Sequence, residues 1–489
     1  MERSEVRDTR TVLRGFVSHA EVGMGHHQFR SLYLGFHPAT GDLVVHEGQT
    51  ARLYTDGIPI YSMELLGSPP RAGGDTHGAM THSRDILFFG GWVKAPPGIL
   101  DGRQDMRNKY SHIHSLDEKG KVELLWSRKW DNNLDTSHWY GEVTDMIYDE
   151  HEDAIYFSRA DGHAELGLWR INLSVRRAEQ LIDGQTLYKM ELKDDKLYAT
   201  EFNPTQRGES SILVYDLHND TQSRFSQFKL GVEPEVTVKM HRIGGQIVQF
   251  QNNILAFYRG FLLLARPGKD WVELYPFMES CSPEDGHPFH VGGVRSQKVY
   301  LDGIPLIAMN PWDHIREVTP RSEVGLLVRV DGGLPQLVAS MGHVSGIATD
   351  GREIYLGTSY ADHTGVYTNR AGEGGVFAIP VREFLRVPWV PMRFTLWEGP
   401  YAQDSGIAGW FGGVPMKGFH SKRVKMYVDE DCVLTVREQL LTTKFTEDKF
   451  SLHTGWNRLD LSSYTDLVSF KLNVKQRELT FQLSMELER

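Results

Sequence analysis

The side chains of this 489-residue chain best suited to chemistry are its histidines, of which there are 21. His77, His138, His241, His290 and His343 each precede or open a short apolar run. Two more stand in matched settings just after such runs, in Ala160-Asp161-Gly162-His163 and Ala361-Asp362-His363. Imidazole titrates near neutrality and a neighbouring carboxylate orients and charges it, so His163 with Asp161, and His363 with Asp362, suit general acid and base roles. Arg159, just before this stretch, offers a planar fork for an anion or carboxylate. If His77, His138 and His343 converge, they form a nitrogen-rich set suited to a divalent metal such as iron, manganese or zinc. Asp161 or Asp362 would then serve as an oxygen ligand or as the group that orients an imidazole. The competing reading of each histidine is a clamp, a ring nitrogen bonded to backbone or carboxylate of the next structural unit. No spacing here is diagnostic of a metal, so both readings stay open.

Other residues weigh less. His26 and His27, flanked by glycine, read as a loop. His112 and His114 share one face of a strand because alternate residues point the same way, and two ligands alone bind metal poorly, so a surface strand is expected. Trp92, Trp139, Tyr140, Trp312 and Tyr360 flank the histidine-bearing loops. Rings beside His, Asp and Arg are what a sugar-binding surface uses, and the alternative is packing between units. Trp169 is expected to be packing alone. Trp410, Trp456 and Gly409-Trp410-Phe411-Gly412-Gly413 fit a carbohydrate-binding sandwich, an oligomer contact or a core. No Walker loop, dinucleotide fingerprint, zinc-protease helix or nucleophile elbow occurs.

The elements that must position these groups are β-strands. Short β-rich runs recur about every 8–12 residues, punctuated by Gly, Asp, Asn and Pro, and long amphipathic helices are missing. The same inner hairpin appears from Gly78, Val143, Met190 and Gly346, with a shared third strand from Gly167, Ser211 and Gly375. Asp56-Gly57-Ile58-Pro59-Ile60 recurs as Asp302-Gly303-Ile304-Pro305-Leu306. Repetition near 50 residues predicts an all-β, seven-bladed β-propeller, with six or eight blades still open. The blades are expected at about 15–70, 75–131, 138–184, 186–234, 238–286, 288–340 and 342–391, so residues 1–391 form the propeller. The Pro-rich stretch 387–392 reads as a linker. Residues 392–489 are expected to form a C-terminal β-sandwich-like domain beside the ring.

Composition sets the outer limits. At 40% hydrophobic and 24% charged residues the chain can bury a sizeable core. A net charge of −11 without a sustained basic run argues against nucleic-acid binding by phosphate neutralisation. The short basic cluster at 421–425 is expected in a solvated loop. Cys281 and Cys432 are too few and too far apart for a disulfide framework or a thiolate metal site. The first residues lack a signal-like apolar stretch and no run of about 18 apolar residues occurs, which predicts a cytoplasmic protein that does not span a membrane.

The segment from His138 to Leu173, with Gly141-Glu142-Val143-Thr144-Asp145-Met146 and Arg159-Ala160-Asp161-Gly162-His163, resembles a family of uncharacterised archaeal proteins. The resemblance extends over most of the propeller and implies an archaeal source. It names no activity and transfers no catalytic residue. In a propeller, residues before the first strand and after the second meet at one mouth of the axial channel. The expected function is therefore an enzyme acting on a carbohydrate or similar polyhydroxylated small molecule at that mouth by His/Asp acid-base chemistry, with a metal as an option. The alternative is a non-catalytic platform for a protein or glycan, with a homo-oligomer compatible with either.

Overall fold

The computed structural model describes residues 10–14, 16–17, 27–28, 31–48, 52–63, 75–93, 99–100, 103–104, 110–129, 140–160, 162–202, 211–225, 227–230, 244–258, 260–279, 295–310, 325–332, 334–341, 344–358, 375–386, 388–441 and 445–488. Apart from one helical turn, Val381–Phe384, its regular elements are strands. Up to residue 380 these form, among the described residues, seven sheets of four or five strands, together with two small hairpins. We call them sheets A to G; their first strands are Ser31–Phe36, Asp75–His82, Glu142–Asp149, Thr186–Lys193, Gly244–Phe250, Arg295–Leu301 and Val344–Thr349. The strands of each sheet pair antiparallel, except that Gln227–Leu230 lies parallel to Trp271–Pro276 at the outer edge of sheet E. The tight turns between strands carry residues that tolerate positive φ, such as Asp194-Asp195 (φ 49° and 56°) and Asp302-Gly303 (φ 50° and 76°).

A meander with two apolar faces has to bury both, and here each sheet stacks on the next. Leu53 and Phe89 join sheets A and B, Phe88 and Ile155 join B and C, and Tyr156 and Leu197 join C and D. Ile212 and Leu263 join D and E, Phe257 and Ile307 join E and F, Val338 and Ile347 join F and G, and Val376 and Leu34 return from G to A. The first strands contact one another in the same closed order, Val344–Thr349 lying against Ser31–Phe36. Sheet G is completed from the other end of the described chain: Arg10–Arg14 pairs antiparallel with Gly375–Pro380, so the ring closes through hydrogen bonds as well as packing. The architecture is all-β and propeller-like.

One local expectation changes. The Asp-Gly-Ile-Pro repeat is not an equivalent position in two units. Asp56-Gly57 turns between the third and fourth strands of sheet A, and Asp302-Gly303 between the first and second of sheet F. What recurs is a two-residue turn suited to any hairpin. The stretch around Pro388 is pinned, since Trp389 donates from its backbone to the Val338 carbonyl (2.9 Å) and from its indole to that of Glu383 (2.7 Å).

From Met392 the chain builds two further four-stranded sheets. One joins Met392–Tyr401, Gln476–Glu486, Ser421–Val428 and Gly455–Asp460; the other joins Phe411–Pro415, Leu467–Leu472, Cys432–Gln439 and Phe445–Leu452. Residues 421–425 are thus strand and not loop, with Lys422 and Val424 buried and Arg423 and Lys425 exposed. These sheets share one continuous apolar cluster with sheets E and F, from Phe257 and Val328 through Trp397 to Phe481. Close backbone contact seals the joint. Glu279 and Gly412 exchange N–H to carbonyl bonds of 2.8 Å, and Gly413 (φ 64°) has no room for a side chain, since a Cβ there would lie 1.9 Å from the Pro276 carbonyl oxygen.

Candidate functional site

The channel-lining strands share a defect. In six of the seven first strands the pairing register slips near the start: between Ser31 and Tyr33, Asp75 and Gly78, Val143 and Asp145, Leu187 and Met190, Gly244 and Ile247, and Val344 and Gly346. Only the strand of sheet F, Arg295–Leu301, pairs without interruption. A bulge frees backbone groups and re-aims the side chain beside it. Here the freed groups and re-aimed side chains meet across the axis in one buried polar network.

Its centre is Lys189 of sheet D, 1% exposed. The Lys189 Nζ donates to the Tyr33 hydroxyl of sheet A (2.6 Å) and to the Thr144 carbonyl of sheet C (2.6 Å). Tyr33 in turn donates to the Ser296 carbonyl of sheet F (3.3 Å) and lies 3.5 Å from Asp145 Oδ1. The other Asp145 oxygen accepts from the Met190 amide (2.8 Å), freed by the bulge in sheet D. Gln297 Oε1 accepts the Leu34 and Ile347 amides, 3.0 Å each, tying sheets A and G to sheet F. On the same strand Lys298 reaches Glu191 (2.5 Å) and the Ile247 carbonyl (2.8 Å), and Tyr300 also donates to Glu191 (2.7 Å). The regular strand is therefore the one from which side chains span to four of the other sheets, A, D, E and G.

Burial drives the electrostatics. Loss of solvent around the Lys189 ammonium lowers its pKa to about 8, against the pull of Asp145 in the other direction. Burial pushes the Tyr33 phenol well above its ordinary value, and the adjacent Asp145 adds to the rise. A lysine that titrates near neutrality, touching a phenol and beside a carboxylate, can accept and pass on a proton.

Of the residues expected to carry acid-base, anion-binding or metal chemistry, Arg159 and His163 are described with their side chains. Arg159 is completely buried. Its guanidinium pairs with Glu165 (2.9 Å), donates to the Gly141 carbonyl (3.0 Å), and lies between the rings of Trp126 (5.0 Å) and Trp169 (5.1 Å). Burial lowers its pKa to about 10. Arg128 binds the same Glu165 and stacks on Tyr140, so the carboxylate expected from a ligand is supplied by the chain. His163, close to this cluster in sequence, is exposed. His77 falls within the first strand of sheet B. Asp161, His138, His343, Asp362 and His363 lie outside the described residues, as do His26, His241, His290, Trp139, Trp312 and Tyr360.

The His112–His114 strand is a correction. Both rings are fully buried rather than on a surface, because Tyr110–Leu116 is an interior strand of sheet B facing sheet A. Their Nδ1 atoms are 3.1 Å apart; His114 stacks on Phe89 (5.1 Å) and faces the Tyr61 hydroxyl (3.4 Å), while His46 lies 6.3 Å from His112. Among the described residues no group of three or more His, Cys, Asp or Glu could hold a metal ion. Trp92 and Trp410 are buried, whereas Trp456 is 55% exposed with Lys425 over its ring. Among the described residues no helix is long and apolar enough to cross a membrane.

Sequence reasoning passed over Tyr33, Asp145, Lys189 and Gln297. A signal was present: each is a polar residue at the third or fourth place of a first strand. Asp145 even lies in the Gly141–Met146 segment that carried the archaeal resemblance.

A family model described as an uncharacterised protein conserved in archaea (DUF2139) matches residues 43–323. No curated protein matches the chain. Among solved structures, U3-55K superposes with a TM-score of 0.47 at 12% identity, covering 77% of this chain and 99% of its own. A gluconolactonase from Xanthomonas campestris gives 0.34 at 10% identity, over 77% of this chain and 99% of its own. The sialidase of Trypanosoma rangeli gives 0.37 at 8% identity, over 98% and 95%. These superpositions are loose, and the architecture rests on the sheets and closed packing described above.

Proposed function

The chain belongs to this family of uncharacterised proteins conserved in archaea, and from that premise we propose that it is a seven-bladed β-propeller enzyme. Sheets A to G are its blades and the residues from Met392 its C-terminal sandwich. Its substrate is a carbohydrate or similar polyhydroxylated small molecule, bound at the mouth where the first strands begin, in a cytoplasmic setting. The observation that carries this reading is the Lys189 amine, lowered to about 8 and bonded to Tyr33 beside Asp145. An amine so poised can take a proton from a substrate hydroxyl, or from carbon beside a carbonyl, with Tyr33 as the relay. The histidine segments that precede or open first strands, with His77, His138 and His343, would add ligands for a divalent metal over this floor. His163 and His363, with Asp161 and Asp362, would add acid-base groups.

One observation favours the non-catalytic platform instead. The Lys189 bonds are short and internal, and Arg159 is paired within the fold, as expected of clamps that hold a ring shut. Saturation-transfer NMR with neutral and acidic oligosaccharides and sugar lactones, on wild type and Lys189→Met, separates the two. The enzyme reading expects a sugar that binds both proteins and is turned over only by the wild type. A sugar bound by both and turned over by neither supports the platform, and no binding by any member of the panel overturns both.

A further inference from the structure

At the far ends of the first strands, away from the axial bulges, sheets D and E part to leave a cleft of about 510 Å³. It is open between the Lys193-Asp194 turn, Asn252 and the 266–270 turn. Its floor is apolar: Tyr198 and Val214 pair across neighbouring strands of sheet D, and Ile254 and Ala265, each 3% exposed, come from sheet E. Its rim carries five cations, Lys193, Lys196, Arg224, Arg266 and Lys269, against two carboxylates, Asp194 and Asp270.

The cations are not equivalent. Arg266 is committed to Glu273 through two bonds (2.7 and 3.0 Å) and to the Leu441 carbonyl (2.7 Å), and Arg224 to Glu201 (2.8 Å). Lys193 pairs with Asp194. The Lys196 ammonium stands 3.9 Å from Asp216, beyond hydrogen-bonding reach, and that of Lys269 lies 5.9 Å from the Trp271 ring. Two loosely held ammonium groups over an apolar floor, in a volume typical of small-molecule sites, set the chemistry of an occupant. The fixed arginines hold the walls and the lysines remain to meet a ligand.

We propose that this cleft binds an amphipathic organic anion, its apolar body on Tyr198, Val214, Ile254 and Ala265 and its charged head between Lys196 and Lys269. The site is independent of the axial network and of the function assigned to it. Net charge of the chain is −11, so this local excess of cations sets the cleft apart.

The probe for the test is 8-anilinonaphthalene-1-sulfonate, an aromatic sulfonate whose fluorescence rises in apolar surroundings. Folded protein should bind one equivalent saturably, and more weakly as salt rises. Affinity should fall at least tenfold in Lys196→Glu/Lys269→Glu, and likewise in Ser223→Trp, which fills the cleft from its exposed edge. Lys189→Met should bind the probe as wild type does. Unchanged affinity in both cleft variants, non-saturable binding, or loss of the site in Lys189→Met would overturn the proposal. Thermal midpoints of the variants guard against loss through misfolding.

Discussion

The Lys189 ammonium and the Tyr33 hydroxyl stand 156 residues apart in sequence and 2.6 Å apart in space, joining sheets D and A across the axis. This contact makes the ring's centre pH-dependent. Burial lowers the folded amine to about 8, while the unfolded chain keeps a value near 10.5. Between these values the unfolded chain holds a proton that the folded chain has released, so the contribution to stability rises with pH across that window. It is lost as pH falls through about 8, below which the amine is charged in both states. Above pH 10 the buried Tyr33 and Tyr258 act the other way, because their phenols ionise first in the unfolded chain. Urea unfolding from pH 7 to 10 should show wild type gaining on Lys189→Met as pH rises. A difference flat in pH would contradict an amine whose pKa burial has lowered.

Arg159 is held by Glu165 between two tryptophans, which predicts that it stabilises sheet C without binding ligand. Glu165→Gln removes the carboxylate and should cost about 2–3 kcal/mol in urea unfolding, below the figure for a fully buried pair because Glu165 keeps some solvent contact. A cost under about 0.5 kcal/mol would place Arg159 among ordinary surface ion pairs.

His114 fills space between Phe89 and Tyr61, and its replacement by alanine should leave a cavity costing about 2 kcal/mol. A surface histidine would cost next to nothing. Thermal unfolding of His114→Ala distinguishes them.

Closure by Arg10–Arg14 predicts that removing residues 1–14 exposes the edge of Gly375–Pro380. The truncated chain should melt several degrees lower and aggregate with rising concentration, since an unpaired edge recruits other chains. An unchanged midpoint would show that the pairing contributes nothing to the ring.

Much of the architecture was legible in local pattern. Alternation and turn residues marked the inner hairpins from Gly78, Val143, Met190 and Gly346, and those strands occur in sheets B, C, D and G. The closing strand was not legible, because its partner lies over 360 residues away and pairing at that distance leaves no periodicity. Met392–Tyr401 was hidden by the prolines beside it. The site was harder still. A bulge is a difference in register between two strands, and neither strand shows it alone. Lys189 therefore stood unremarked just ahead of the hairpin from Met190, although it is the cation at the centre of the axial network. His112 and His114 were placed on the right common face, but on the wrong side of the burial boundary, because an interior strand between stacked sheets is covered on both faces.

The central claim is that the Lys189–Tyr33 pair moves protons on a bound polyhydroxylated substrate. Its most direct test is turnover of a panel of sugar lactones, uronates and oligosaccharides by wild type, Lys189→Met and Tyr33→Phe, each first checked for native folding by circular dichroism. The account predicts that at least one substrate is converted by the wild type and that either substitution slows conversion by a factor of about 100 or more. Conversion at the wild-type rate by folded Lys189→Met would contradict it.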